Sequence, residues 1–134
     1  MKLILYADIK EKRGDKLETL IKEKAAGIQT VRVSSITELS QTLCRPLHRI
    51  TIAVVFLFSQ KQIKELVQLK PVFDNIRIIL ALSPRGNIPM AATLDLKPSF
   101  ISFPDTENDD FDDILSVLRT IQSRTKEQPY QHRT

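Results

Sequence analysis

The chain has 134 residues, of which 42% are hydrophobic and 27% are charged, and its formal net charge is +4. This length suits one domain with a single core, and the composition excludes a chain that is disordered throughout. No apolar run approaches the ~20 residues that a membrane-spanning helix needs. Asp8 interrupts the short apolar N-terminus, so neither a signal peptide nor a membrane partner is expected, and we predict a cytoplasmic location.

Residue types that hold metals and cofactors are scarce in this chain. The single cysteine, Cys44, excludes an intramolecular disulfide and any motif of paired cysteines. One of the two histidines precedes an apolar run and the other lies in the polar C-terminal segment, which leaves little for a histidine-based site. With three glycines and no GxGxxG or GxxxxGK[ST] sequence, a phosphate-binding loop is also disfavoured. We therefore expect no cofactor, no metal and no enzymatic activity.

Five apolar runs alternate with segments of helical periodicity. The runs span residues 2–7, 29–34, 49–58, 76–82 and 99–103. The segments between them repeat apolar residues at helical spacing, and the pattern is clearest in the last helix, from Phe111 to Ile121. A short fourth helix is predicted in GNIPMAATLDL, with Pro89 near its start. This alternation predicts βαβ units and a three-layer α/β/α sandwich around a parallel sheet.

The apolar pattern of the runs predicts the order of the strands. Strands that are buried on both faces read as continuous apolar runs, whereas edge strands alternate. The first, third and fourth runs are continuous, while the second (Val31 to Val33) and the fifth (Ser99 to Phe103) alternate. We therefore predict a five-stranded parallel sheet in the order 2-1-3-4-5. The dinucleotide-binding order is disfavoured because it would bury strand two and place the long third run at an edge.

The C-terminal part of the chain changes in composition twice. The domain is predicted to span residues 1–124, followed by a polar and disordered tail at residues 125–134. The segment DTENDDFDD (residues 105–113) places carboxylates at the start of the last helix, where they cap free N–H groups and favour the helix dipole. An acidic docking patch and a metal site are alternatives, although the glycine and distal glutamate of a calcium loop are missing.

In this topology, ligands bind beyond the carboxyl ends of strands one and three. Those ends carry Asp8 in LILYADIK and Phe56 and Phe58 in VVFLFSQ, with Ser83 in IILALSP at the end of strand four. In the order and length of its elements, over residues 2–124, the chain resembles the phosphoacceptor receiver domains of two-component response regulators. The resemblance lies in organisation rather than in sequence identity, and it implies a flavodoxin-like fold.

This resemblance implies acidic residues at the ends of strands one and three. In the family, an acidic pair that binds magnesium ends strand one, and here Asp8 stands in the first place and Ile9 in the second. The family's phosphorylated aspartate ends strand three, where this chain has Phe56, which we favour over Phe58 for that place. Phosphoryl transfer needs a carboxylate nucleophile and a metal that offsets the phosphate charge. A phenylalanine supplies neither the nucleophile nor a metal ligand.

The resemblance also implies a hydroxyl at the end of strand four and a Lys-Pro pair at the end of strand five. Ser83 keeps the hydroxyl, although a turn before Pro84 explains this serine equally well. Phe103 and Pro104 replace the Lys-Pro pair, so the lysine is missing while the proline, which follows a cis peptide in the family, remains. The chain is thus predicted to be a degenerate pseudo-receiver with five vestigial positions: Asp8, Phe56, Ser83, Phe103 and Pro104.

The leading functional hypothesis is a non-catalytic, phosphorylation-independent signalling module that binds another protein. Receiver domains signal through the face of the fourth helix, the fifth strand and the fifth helix, which implies contacts around Met90, Leu94 and Phe100 in this chain. Phe100 and Phe103 are expected on one side of strand five, with one of them partly exposed at the sheet edge. The expected partner is a regulatory protein or a second copy of the chain.

Two other functions are alternatives. A small-anion or nucleotide sensor would bind at the carboxyl ends of strands one and three through a basic cluster near a helix N-terminus, although a solvated loop explains the same residues: Lys10, Lys12, Arg13 and Lys16. Nucleic-acid binding through this cluster and the C-terminal tail is disfavoured. No recognition helix or aromatic array accompanies them, and the acidic segment repels phosphate.

Overall fold

The computed structural model describes residues 2–8, 12–44, 51–57, 59–73, 76–82, 88–103 and 111–133, with the side chains of residues 72–73 and 125–133 left out. In chain order the elements are β1 (Lys2–Tyr6), α1 (Lys12–Lys24), β2 (Gln29–Val33), α2 (Ile36–Leu43), β3 (Thr51–Leu57), α3 (Gln60–Gln68), a 3-10 helix (Lys70–Phe73), β4 (Arg77–Leu82), α4 (Met90–Asp95), β5 (Phe100–Ser102) and α5 (Asp112–Arg133).

The strands form one parallel sheet in the order β2-β1-β3-β4-β5, which confirms the predicted order. All seven residues of β3 are buried, whereas β2 is mostly half-buried or exposed and β5 has three residues. Each buried valine, leucine or isoleucine side chain contributes roughly 1.5–3 kcal/mol relative to exposure, so the continuous apolar runs are driven to the centre of the sheet. The architecture is a three-layer, flavodoxin-like α/β fold.

The sheet separates two apolar cores. One core lies between the sheet and the helices α1 and α5, and it contains Leu5, Val54, Phe56 and Leu118. The other lies between the sheet and the helices α2, α3 and α4, and it contains Ile4, Val55, Leu66 and Leu96. Neighbouring residues of a strand therefore belong to different cores, as expected for side chains that alternate between the two faces of a sheet.

Gly14 brings helix α1 close to the end of β1. A Cβ atom at this position would lie 2.5 Å from the Cβ of Ala7, so a side chain here would need the helix or the strand to move. Gly14 and Ala7 are both buried, and the small size of the two residues permits this approach. The first turns of α1 are thus held beside the carboxyl edge of the sheet, where the functional positions were predicted.

Helix α5 begins after a residue with an unusual backbone. Phe111 has a φ of 53°, a left-handed value that is uncommon for a bulky residue, and its side chain is buried. The helix then continues to Arg133, beyond the domain boundary predicted at residue 124. Because the side chains beyond Arg124 are not described, the predicted disorder of residues 125–134 stays a prediction. Pro89 is the N-cap residue of α4, which agrees with its predicted place near the start of this helix.

Candidate functional site

The carboxyl edge of the sheet is the first candidate site. Phe56 pairs with Ala81 on β4, which in turn pairs with Ser102 on β5, so their side chains form one row across the sheet. Ala7 follows the last residue of β1, and Tyr6 of that strand pairs with Val55. The row Ala7, Phe56, Ala81 and Ser102 thus offers two methyl groups, a phenyl ring and a hydroxyl at the edge where receiver domains carry their acidic residues.

Phe56 lies in the α1/α5 core at the place where the resemblance put the phosphoacceptor. Its side chain is 3% exposed and its ring packs edge-on against the ring of Phe111, with the centroids 5.9 Å apart and an interplanar angle of 89°. Edge-to-face aromatic pairs contribute about 0.5–1.5 kcal/mol beyond the burial of their area. The end of β3 is therefore filled by a packed aromatic pair rather than by a carboxylate.

The other vestigial positions are only partly described. Asp8 is exposed just beyond β1, and Phe103 is exposed just beyond β5. Ser83 and Pro104 lie outside the described residues, as do the alternative acceptor position Phe58 and the whole of the acidic segment before Phe111. Of the three vestigial positions that the structure describes, Asp8 and Phe103 are exposed and Phe56 lies in the core.

A polar pair that the sequence analysis missed lies at the end of the same row. Ser102 is buried, and its Oγ donates a hydrogen bond to Oδ2 of Asp113 over 2.6 Å. The backbone N–H of Ile114 donates to the other carboxylate oxygen over 2.8 Å. Asp113 therefore joins β5 to the first turn of α5. The sequence contains five aspartates between residues 105 and 113, and nothing in their spacing marks this one.

Tyr6 lies on the opposite face of the sheet, in the core beneath α3. Burial raises the pKa of this phenol above its usual value, and the negative charges of Asp8 and Glu65 add to the increase. A side-chain hydrogen bond with Gln62 lowers the pKa and only partly compensates. Tyr6 is consequently a neutral, buried phenol near pH 7, which is unsuited to act as a nucleophile or a base.

The predicted basic cluster lies at the start of α1, as far as it is described. Lys12 and Lys16 are exposed, Arg13 is half-buried, and Lys10 is outside the described residues. Asp15 of this helix pairs with a cation outside the cluster, because Nη1 of Arg32 on β2 lies 2.6 Å from its Oδ1. The structure thus brings three of the four cations to one helix end, and the anion-sensor function stays a prediction.

Exposed apolar side chains lie on α4 and just beyond the end of β5. Among the described residues, the large apolar side chains that are exposed are Met90 at 45%, Leu94 at 56% and Phe103 at 54%. Met90 and Leu94 are one helical turn apart on α4, and neighbours at this spacing share a face. We call these three residues the exposed apolar set.

Phe100 differs from the expectation for this surface. It is half-buried and packs against the α1/α5 core, whereas Phe103 is exposed and follows the last residue of β5, Ser102. The expectation that Phe100 and Phe103 share one side of strand five was wrong, because residues three apart on a strand point to opposite faces and Phe103 is not part of the strand. Phe103 is therefore the more exposed of the two aromatic side chains.

Comparison of the chain with protein-family models, with curated proteins and with solved structures finds no match. Within the part of the chain that is described, no group of three or more histidine, cysteine, aspartate or glutamate side chains is arranged to hold a metal ion. None of the helices in these ranges has the length and apolarity required to cross a bilayer. The site must therefore be interpreted from its own geometry.

Proposed function

We propose that this chain is a non-catalytic module of receiver-like organisation that works without phosphorylation by binding another protein. The observation that supports this most directly is the packing of Phe56 against Phe111 at the end of β3. An aspartyl phosphate needs a carboxylate at that place, and a buried edge-to-face aromatic pair provides no nucleophile and no magnesium ligand. Phe56 cannot accept a phosphoryl group, so the module is not regulated by phosphoryl transfer to this position.

Phosphorylation independence is tested by a ¹⁵N–¹H NMR titration with magnesium, followed by the phosphoryl mimic beryllium fluoride. We expect no localised shift change at the amides of Asp8, Phe56 and Ala81. An active receiver domain in the same buffer is the positive control. Saturable changes confined to these amides would mean that an acceptor geometry survives, and the proposal would be wrong.

The surface that supports protein binding is the exposed apolar set, Met90, Leu94 and Phe103. Large apolar side chains that stay exposed together are a common mark of protein interfaces. The start of α4 and the end of β5 both lie toward the carboxyl edge of neighbouring parallel strands, so one partner can reach them together. The proposed partner is a second copy of the chain or a regulatory protein. We also propose that the chain binds this partner in the cytoplasm.

This surface is tested by sedimentation equilibrium of Leu94→Asp and Phe103→Asp. If the chain dimerises through the exposed apolar set, each variant weakens dimerisation by about tenfold or more, because a desolvated carboxylate replaces an apolar contact. Thr37→Asp, which adds the same charge at an exposed position on α2, is the matched control. Phe100→Asp is unsuitable because Phe100 packs against the core.

Two outcomes would change this assignment. Dimerisation that survives both variants, or that Thr37→Asp weakens equally, would place the interface elsewhere. A wild-type chain that stays monomeric at all accessible concentrations would exclude the homodimer and leave a regulatory protein as the proposed partner.

A further inference from the structure

A groove of about 750 Å³ runs along α5 beside the C-terminal end of α1. Its polar lining consists of three cations, three hydroxyls and one carboxylate: Lys24, Arg119, Arg124, Ser116, Thr120, Ser123 and Asp112. Nε2 of Gln122 donates to the carbonyl of Ala26 over 3.0 Å, which ties α5 to the turn that follows α1. The two walls of the groove are therefore held together by a direct hydrogen bond.

The cations of this groove form no ion pair among the described residues, although Asp112 places one carboxylate in the same lining. Elsewhere in those ranges Lys22, Arg32 and Lys70 each form an ion pair, whereas no such pair is formed by Lys24, Arg119 or Arg124. From Ser116 to Arg124 the polar lining recurs at helical spacing, over roughly 12 Å of helix at 1.5 Å per residue. The groove thus presents a row of exposed polar groups with a net positive charge, in which the Thr120 hydroxyl already donates to the carbonyl of Ser116 over 2.9 Å.

We propose that this groove binds a small polyanion that carries two or more phosphate groups. A phosphate group offers several acceptor oxygens, which match guanidinium and hydroxyl donors on one surface. The groove is open to solvent on one side, so its ligand is held by charge and hydrogen bonds rather than by enclosure. Asp112 lies at one end of the lining and repels anions there, so the ligand is expected toward Arg119 and Arg124.

The lining also indicates which contacts a ligand can make. Leu115 is the one apolar residue of the described lining, and its exposed fraction is 3%. No aromatic side chain of the described lining is present to stack on a base, and stacking on aromatic residues is the usual anchor of single-stranded nucleic acids. The described lining thus offers no stacking anchor for a base, and the ligand class is a molecule with several phosphate groups, either free in solution or as a lipid headgroup.

The probe for the first experiment is inorganic tripolyphosphate, titrated by calorimetry and by ¹⁵N–¹H NMR at roughly 0.15 M salt, where distant charges are screened. We expect saturable binding with shift changes at Lys24 and from Ser116 to Arg124. The double variant Arg119→Gln/Arg124→Gln is expected to weaken binding by about tenfold or more, since each charge-assisted contact contributes about 1 kcal/mol at an exposed site.

The control is Lys61→Gln/Lys64→Gln, which removes the same charge from exposed positions on α3, on the other side of the sheet. It should bind tripolyphosphate like the wild type. Glutamine is a good helix former, so both double variants should keep their fold, and circular dichroism checks this. No binding, an equal loss in the control, or equal competition by sulfate would overturn the site.

Two further experiments show whether the phosphate groups of the ligand belong to a lipid headgroup or to a soluble molecule. Vesicles of phosphatidylcholine with and without phosphatidylinositol bisphosphate test the lipid headgroup, and binding that needs the phosphorylated lipid and Arg119 and Arg124 supports that source. Binding to tripolyphosphate alone supports a soluble ligand. Tighter binding of poly-glutamate than of tripolyphosphate would overturn the phosphate class. Leu94→Asp should leave all of these affinities unchanged, so this inference and the proposed protein interface fail separately.

Discussion

Phe56 is the residue that limits the chemistry at the carboxyl edge of the sheet. The sequence predicted an aromatic residue in place of an acceptor, and the ring is buried against Phe111. Sequence alone did not reveal this partner, because Phe111 lies 55 positions further on in an acidic segment and has a left-handed φ of 53°. The contact between the two rings is a tertiary feature that fixes the start of α5 on the end of β3.

The first prediction concerns the restoration of a carboxylate at this position. Phe56→Asp is expected to lower the free energy of unfolding by about 4 kcal/mol or more, because it leaves a cavity and buries a charge without a partner. Urea denaturation measures the loss. Phe56→Leu keeps an apolar side chain and should cost about 1.5 kcal/mol, which provides a folded reference. Thr37→Asp, at an exposed position on α2, should stay within about 0.5 kcal/mol of the wild type.

The second prediction concerns Tyr6 at high pH. Its folded-state pKa is raised by burial, so the unfolded chain loses the phenolic proton first as the pH rises through about 10. The folded state then binds more protons than the unfolded state, and the free energy of unfolding falls with increasing pH. Below the unfolded pKa this contribution is fully present.

Tyr6→Phe should remove this part of the pH dependence, measured by urea denaturation from pH 8 to about pH 11. Lysines titrate in the same range, so the comparison with the wild type isolates the phenol. A Tyr6→Phe curve parallel to that of the wild type would contradict the prediction.

At the scale of elements, the approach of α1 to β1 depends on Gly14. Glycine inside a helix is normally less stable than alanine by about 1 kcal/mol. Here an added Cβ would meet the Cβ of Ala7 at 2.5 Å and crowd the guanidinium of Arg32. The packing requirement therefore outweighs the helix propensity, and a glycine in the first turn of this helix has a structural reason.

The third prediction is that Gly14→Ala lowers the free energy of unfolding by about 1–3 kcal/mol, the usual cost of overpacking. Thermal and urea denaturation measure it. Thr19→Ala, at an exposed position of the same helix, is the control and should be neutral or slightly stabilising because alanine has the higher helix propensity. A stabilised Gly14→Ala variant would show that α1 can move away from the sheet without loss.

The hydrogen bond from Ser102 on β5 to Asp113 on α5 is a second link between elements, and it could not be predicted from the sequence. The acidic segment predicted capping of the last helix, and Asp113 does accept a hydrogen bond from the first turn of α5. Its other oxygen accepts a hydrogen bond from Ser102 on β5, a buried serine in an otherwise apolar run. Because this pair depends on how the helix is placed over the sheet, local sequence pattern carries no signal for it.

At the scale of the whole molecule, the central strands should be the most stable part of the fold. β3 is buried along its whole length between β1 and β4, while β2 and β5 are edge strands. Local opening requires less free energy where fewer apolar contacts are lost. The sheet should therefore open from its edges before its centre.

The fourth prediction is a matching pattern of amide hydrogen exchange. The amides of β3 should exchange only through global unfolding, whereas those of β2 and β5 should exchange through openings that cost at least ~1 kcal/mol less. The exchange of both groups is measured in one experiment by NMR, with β1 as an internal comparison. Equal protection of β2 and β3 would contradict the assignment of β2 as a weakly held edge.

The sequence by itself determined the strand order, the burial of three strands and the missing carboxylate at the end of β3. These features depend on the apolar pattern within each segment, since a strand buried on both faces has a continuous apolar run whereas an edge strand alternates. The tertiary structure alone decided that Phe103 rather than Phe100 is exposed, that Ser102 meets Asp113, and that α1 and α5 enclose a cationic groove. Such contacts join residues that are distant in sequence, and only the packing of helices against the sheet brings them together.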